Sequence, residues 1–251
     1  MTFQLPENIQ SVERFDSLYQ YFSQRYELEQ LQLQLEPYQF TITAIKNIDQ
    51  LLDELIDQGP ESVGVKDERL PYWAELWPSS IALSRYILQN TGITSRISAI
   101  ELGCGVGLTG MAAARKGAEV LVSDYQPDAL RLTELNWLMN LGKSPRMQLL
   151  DWRTASPPEK YELILASDVV YEKRFFSPLI ELFTSILSPA GQILLSEPNR
   201  KIASEFFSRL SDNGFVFDTV EQSVVFREKN YQVSVYQITW NGSDSITNAG
   251  E

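Results

Sequence analysis

Residues Ile100-Glu101-Leu102-Gly103-Cys104-Gly105-Val106-Gly107-Leu108-Thr109-Gly110 constrain this chain more than any other segment, because an apolar run opens into alternating glycines. Glycine lacks a Cβ, so it turns at positive φ and lets main-chain N–H groups approach a ligand closely. Met111 to Arg115 are good helix formers that run to Gly117, so the segment reads as strand, turn and helix. That unit builds nucleotide-binding α/β sheets. A second strand, Glu119 to Ser123, ends at Asp124, where a carboxylate can accept both hydroxyls of a ribose.

The loop supports two readings. Gly105-x-Gly107-x-x-Gly110 satisfies the dinucleotide pattern, which points to a nicotinamide-dependent oxidoreductase. Glu101-x-Gly103-x-Gly105-x-Gly107, an acidic residue ahead of three alternating glycines, resembles motif I of the S-adenosylmethionine (SAM) methyltransferases. Asp124 fits a nucleoside in either case.

The chain has 33 acidic and 21 basic residues, a net charge of −12, which argues against a surface that tracks nucleic-acid phosphates and favours an amine-bearing partner. It contains no histidine and one cysteine, so histidine bases and most zinc sites are excluded and no metal site is expected. Chemistry must run on carboxylates, tyrosine, lysine or a cofactor. Cys104 stands alone in the glycine loop as a small filler, without a disulfide framework, which fits a reducing cytoplasm. Met1 to Glu7 carry no basic, apolar leader and no long apolar run follows, so a soluble, unexported protein without membrane attachment is expected. At 251 residues, one α/β domain plus an extension is expected rather than two cores.

Val12 to Gln30 read as helix, Leu31 to Leu35 and Phe40 to Ala44 as a hairpin turned at Glu36-Pro37, and Ile48 to Gln58 as a helix capped by Asn47. The polar loop Gly59 to Arg69 marks a boundary, giving an α+β extension over residues 1–69, a main domain over 70–240 and a disordered tail over 241–251. In the main domain, strands at 97–102, 119–123, 147–150, 161–167 and 192–196 alternate with helices, including Pro127 to Leu141 and one through Leu179, Phe183 and Leu187 that stops at Pro189-Ala190-Gly191. A helix over Glu205 to Leu210 precedes Val216 to Phe226 and Tyr231 to Trp240, whose short link makes them antiparallel partners. The fold class is therefore α/β, a doubly wound, mainly parallel sheet closed by an antiparallel hairpin.

This order is similar to the seven-stranded, Rossmann-like fold of the SAM-dependent methyltransferases, where ligands bind at the carboxyl ends of the strands. Asp168-x-x-Tyr171, Leu150-Asp151-Trp152 and Pro71-Tyr72-Trp73-Ala74-Glu75-Leu76-Trp77-Pro78 resemble the protein-lysine methyltransferases grouped as methyltransferase family 16, over about Leu70 to Trp240. Pro-x-Trp-x-x-x-Trp-Pro and Glu197-Pro198-Asn199-Arg200 resemble the branch acting on the β subunit of electron-transfer flavoprotein, whose second motif reads more like Asp-Pro-Gly-Arg, so Glu197 and Asn199 depart from it.

The resemblance implies SAM as cofactor and a protein lysine as acceptor. It implies that Glu101, Gly103, Gly105 and Gly107 shape the methionine and ribose end, with Asp124 on the ribose hydroxyls and Ser167 nearby at the end of its strand. Asp151 would accept from the adenine amino group, Trp152 would pack near that ring and Trp77 would cover the cofactor. Tyr72, Trp73 and Glu75 would line the acceptor channel, with Asp168 and Tyr171 as the catalytic pair, Asp168 capturing the amine and stabilising the cationic product. A small-molecule amine methyltransferase and a non-catalytic cofactor-binding protein stay open as alternatives. Residues 1–69 would serve as a lid, a docking surface or a structural element.

Overall fold

A computed structural model describes residues 5–66, 70–89, 92–93, 95–154 and 159–241. The boundary expected at residue 69 and, apart from Asn241, the tail expected over residues 241–251 lie outside the described residues.

Helix α1 (Val12–Ser23) is capped by Ser11, whose side chain accepts the Arg14 N–H at 3.1 Å. It ends well before Gln30, because Leu28 onward pairs as a strand. β1 (Leu28–Leu35) and β2 (Tyr38–Ile45) form an antiparallel hairpin from Leu28↔Ile45 to Leu35↔Tyr38. Cross-strand pairing overrides the helix propensity of this Leu/Glu/Gln stretch. α2 (Ile48–Asp57) starts at the expected cap, where Asn47 accepts the Asp49 N–H, and a short α3 (Val63–Lys66) follows.

After a 3₁₀ turn over Tyr72–Ala74, helix α4 (Pro78–Gln89) leads into the main sheet. Its elements are β3 (Ser98–Leu102), α5 (Leu108–Arg115), β4 (Glu119–Asp124), α6 (Pro127–Leu141) and β5 (Arg146–Leu149). Then come β6 (Tyr161–Ser167), α7 (Phe176–Ile186), β7 (Leu187–Glu197), α8 (Ala203–Asp212), β8 (Phe215–Phe226) and β9 (Lys229–Trp240). The strand order is β5-β4-β3-β6-β7-β9-β8, with β9 antiparallel to both of its neighbours and the other pairings parallel. Arg227 and Glu228 turn the last hairpin at φ +48° and +61°, as a two-residue turn matched to strand twist requires. Pro189-Ala190-Gly191 does not stop α7. The helix has already ended at Ile186, and these residues lie inside β7, where the register against β6 shifts between Tyr161 and Leu163.

One buried apolar cluster joins Phe15, Phe22, Phe40 and Ile42 of the N-terminal elements to Met111 of α5 and Leu135 of α6, so this extension shares the core of the main sheet. The opposite face is covered by α7 and α8, with Phe176, Phe183 and Phe206 fully buried. Helix α6 also holds the hairpin by polar contacts. Asn136 accepts the Thr43 N–H at 2.8 Å and donates to Thr43 O at 3.0 Å, while Asn140 does both with Thr41 at 2.8 Å. Asn136 Nδ2 donates in addition to Val106 O in the glycine loop at 2.9 Å. Among the described residues, no helix is long and apolar enough to cross a membrane.

Candidate active site

The chain leaves β3 for β4 on one side of the sheet and returns to β6 on the other, so a crevice opens at the carboxyl ends of β3 and β6. The glycine loop forms its floor. Gly103, Gly105 and Gly107 all lie at positive φ, and Gly105 donates its N–H to Asp124 Oδ2 at 3.1 Å. A Cβ on Gly105 would stand 3.3 Å from Trp73 O, so only glycine lets the loop pass beneath that segment without displacing it. Asp124, 4% exposed, accepts a second backbone N–H from Gln126 at 3.0 Å. Burial pushes its carboxyl up to about 6, and no basic side chain among the described residues pairs with it.

The crevice has a cavity volume of about 90 Å³. Tyr72, Trp73, Glu75, Trp77, Gly103, Gly105, Asp124, Trp152, Ser167, Asp168 and Tyr171 line it, so most residues singled out in the sequence converge there. Trp152, Tyr125 and Tyr171 also wall a smaller adjoining cavity of about 20 Å³. Asp151 lies on this second cavity rather than the first, and Arg153 holds its carboxylate in an ion pair at 2.6 Å.

Two expected cofactor contacts do not face the crevice. Glu101 is 1% exposed and its Oε2 accepts the Gly110 N–H at 3.0 Å, pinning the start of α5 behind the loop. Burial raises its carboxyl to about 8. A Cβ on Gly110 would fall 2.5 Å from that oxygen, so the third glycine of the dinucleotide-like pattern is explained by Glu101. Gly107 turns the chain into α5, and a Cβ there would meet Thr133 Cγ2 at 2.7 Å.

Beyond Asp168 the crevice widens into a mouth lined by Leu70, Tyr72, Trp77, Asp168, Tyr171, Glu172 and Arg200. Tyr72 meets Tyr171 edge-on at 5.5 Å and Trp77 at 5.9 Å, and the Trp77 indole donates to Tyr72 O at 2.8 Å. Burial pushes the Tyr171 phenol above its ordinary range, so it stays protonated and neutral. Glu75 is tied to Arg227 of the β8–β9 turn at 3.5 Å.

Asp168 adopts φ +59°, with its N–H on Ser196 O at 2.9 Å, and its carboxylate is ion-paired with Arg200. The sequence marks Arg200 only as the last residue of Glu197-Pro198-Asn199-Arg200. Its contact with Asp168 spans 32 residues, and no local spacing announces it. Tyr125, which directly follows Asp124, and Phe175, 5.7 Å from Trp152, are further lining residues the sequence did not mark. Adjacency to the strand-end carboxylate was the available signal for Tyr125.

The residues fit a nucleoside cofactor. Glycine turns leave main-chain space, and a buried carboxylate without a cationic partner calls for neutral donors such as paired hydroxyls.

A family model described as lysine methyltransferase matches residues 66–213. The electron transfer flavoprotein beta subunit lysine methyltransferase of Danio rerio is 30% identical over 163 residues, covering 64% of this chain and 62% of that protein. The EEF1A lysine methyltransferase 3 of Mus musculus is 30% identical over 176 residues, covering 67% of this chain and 73% of that protein. The chain thus spans 62% of the zebrafish protein's length, and 51% of the corresponding mouse protein's. A putative RNA methyltransferase from Pyrococcus horikoshii shares the fold with a TM-score of 0.56 at 14% identity, covering 78% of this chain and 97% of that one. So does a ribosomal protein L11 methylase from Lactobacillus delbrueckii subsp. bulgaricus, at 0.51 and 21% identity over 63% of this chain and 77% of that one.

Proposed function

The chain belongs to the lysine methyltransferase family, and from that premise we propose that it is a SAM-dependent N-methyltransferase acting on a lysine ε-amine of a protein. The observation that carries the reading is the continuity of two unlike chambers. A glycine-floored crevice ending in Asp124 opens past Asp168 and Tyr171 into an aromatic mouth.

Asp124 would hold the ribose hydroxyls, and the Gly103 to Gly105 backbone the methionine end. Trp152, with Asp151 on the adjoining cavity, would hold the adenine, and Trp77 would close the crevice from above. When bound, SAM supplies an electrophilic methyl group on a sulfonium. Transfer is an in-line displacement, in which positioning alone can supply up to ~7–11 kcal/mol. Tyr72, Trp73 and Tyr171 exclude water from the approach, which favours the neutral amine over an ammonium whose free pKa is near ~10.4. Asp168 receives the incoming cation and stabilises the charged product, while the proton leaves to water. Glu101 and Gly107 support the loop from behind.

A net charge of −12 supports a protein rather than a nucleic acid as acceptor, and the lone, buried Cys104 suits a reducing compartment such as the cytoplasm. The electron transfer flavoprotein β subunit and EEF1A, named for the two relatives, are the acceptors to try first.

The test is transfer of labelled methyl from SAM into a cell lysate split into protein and small-molecule fractions, with Asp168→Asn as control. Label on lysine in a protein band, lost with the variant, is expected. Label only among small molecules would replace this reading with an amine-metabolite methyltransferase, and retained SAM binding with no label in either fraction would replace it with a non-catalytic binder.

A further inference from the structure

At the inner edge of the mouth, Glu197 closes β7 fully buried, and both its oxygens accept the Arg200 N–H, at 3.1 and 2.9 Å. This anchor fixes the backbone from which the Arg200 side chain leaves. Its guanidinium stands 3.4 Å from Glu197 Oε1 and bonds Asp168 Oδ1. Asn199, beside it, adopts φ +60°, as Asp168 does at +59°. The left-handed region thus holds one member of the ion pair and the chain neighbour of the other, Asp and Asn being the non-glycine residues that enter it most readily.

A carboxylate beside an amine stabilises its ammonium form, which is the wrong form for attack. Asp168 alone would capture a lysine and also hold it protonated. A fixed guanidinium on the same carboxylate opposes that pull. We infer that Arg200 is a positioning residue for the acceptor, acting through Asp168: it orients the carboxylate and offsets its charge, so that the mouth admits a cation yet lets it lose a proton.

Asp168 and Glu197 both face this guanidinium, and burial pushes the Glu197 carboxyl above its ordinary range, which leaves Asp168 as the carboxylate that Arg200 chiefly offsets. Among the described residues, the other ionisable groups bordering this point are the phenols of Tyr72 and Tyr171, the Tyr236 phenol near Glu197, and the Glu172 carboxylate, itself paired with Arg174 at 2.6 Å. Behind them Glu221 of β8 accepts from Ser234 Oγ, which also contacts Asn199. Arg200 is thus the cation that balances the carboxylate at the mouth.

This inference rests on the lysine reading above, and the experiment separates the two. With tritiated-methyl SAM and the protein band that the wild-type chain labels in lysate, kcat is followed against pH, since its acid limb reports the bound amine. For Arg200→Gln the limb is expected about one pH unit higher, a roughly tenfold loss at neutral pH that recovers in alkali. SAM affinity by titration calorimetry is expected to be unchanged, because Arg200 lines the mouth and not the crevice. Arg200→Lys, which keeps the charge, is expected to hold the limb near its wild-type position, and it decides the matter if the glutamine variant does not fold. A loss in Arg200→Gln that is uniform across pH, or a limb in Arg200→Lys displaced as far as in the glutamine variant, overturns the inference and leaves the lysine reading standing. A wild-type chain that labels no protein overturns both.

Discussion

The floor of the crevice and the mouth are built by opposite means. The floor is made from backbone: Gly103 and Gly105 at positive φ and one buried carboxylate held by main-chain N–H groups, all within Gly103 to Gln126. The mouth is made from side chains that meet across the fold, with Tyr72 and Trp77 before β3, Asp168 and Tyr171 after β6, and Arg200 after β7. A site made of turns tolerates only glycine but needs few partners. A site made of converging side chains can be retuned one residue at a time. On the proposed function, the cofactor end is the constrained half and the acceptor end the half open to retuning.

The sharpest way to break this comparison is Asp168→Asn, which should lower methyl transfer on the order of 100-fold or more while leaving SAM affinity within about twofold, as expected when only aim is lost. Equal loss of both would mean that the chambers are not separable. Asp124→Asn should do the reverse, weakening SAM by about 1.5–3 kcal/mol, the worth of hydrogen bonds to a charged group, in a calorimetric titration. Wild-type SAM affinity should likewise fall as pH drops through about 6, where Asp124 takes up a proton. Asn136→Ala, which strips the glycine loop and the hairpin of a shared amide, should cost about 1–3 kcal/mol in denaturant unfolding and weaken SAM binding as well. A stability loss with unchanged SAM affinity would show that hairpin and loop are not linked.

The smallest effects concern the buried carboxylates in the ligand-free protein. Folding raises Asp124 from an ordinary 3.8 to about 6, and Glu101 from 4.5 to about 8. Between those values the folded state holds more protons than the unfolded one, so stability should decline as pH rises, by no more than about 1.4 kcal/mol per unit for each group. Asp124→Asn should flatten but not remove the slope between about pH 4 and 6, since Glu101 contributes there from about 4.5 upward. Glu101→Gln should remove it between 6 and 8 without changing SAM affinity. Melting temperatures across that range test both, and a cofactor defect in Glu101→Gln would return Glu101 to the binding site.

The sheet was legible because its strands are short apolar runs ended by turn residues. The hairpin turn at Glu36-Pro37 and the helix cap at Asn47 followed from local chemistry too. α4 was not legible, since Ser79, Ser80 and Ser84 are as buried as Ile81 and Leu83, and a helix covered on most sides shows no polar stripe. Pro189 misled because a proline after a helical run also fits the first residues of a strand. Gly103, Gly105 and Asp124 could be placed by spacing. Glu101 could not, because a strand residue one step from a loop can face either side of the sheet, and the choice was made by Gly110 nine residues on.

The amides of α6 carry one more implication. Successive residues on one edge of a strand are spaced by about 6.6 Å, and residues four apart on a helix by about 6.0 Å, so the two rulers nearly coincide over a single step. Asn136 and Asn140 exploit that match against Thr43 and Thr41, giving β2 a neighbour made of side chains. The hairpin thereby gains a paired border without another strand, which denies that edge to a second chain. Because the rulers agree only in steps of two strand residues against four helix residues, any insertion in β2 must arrive as an even number or lose the match.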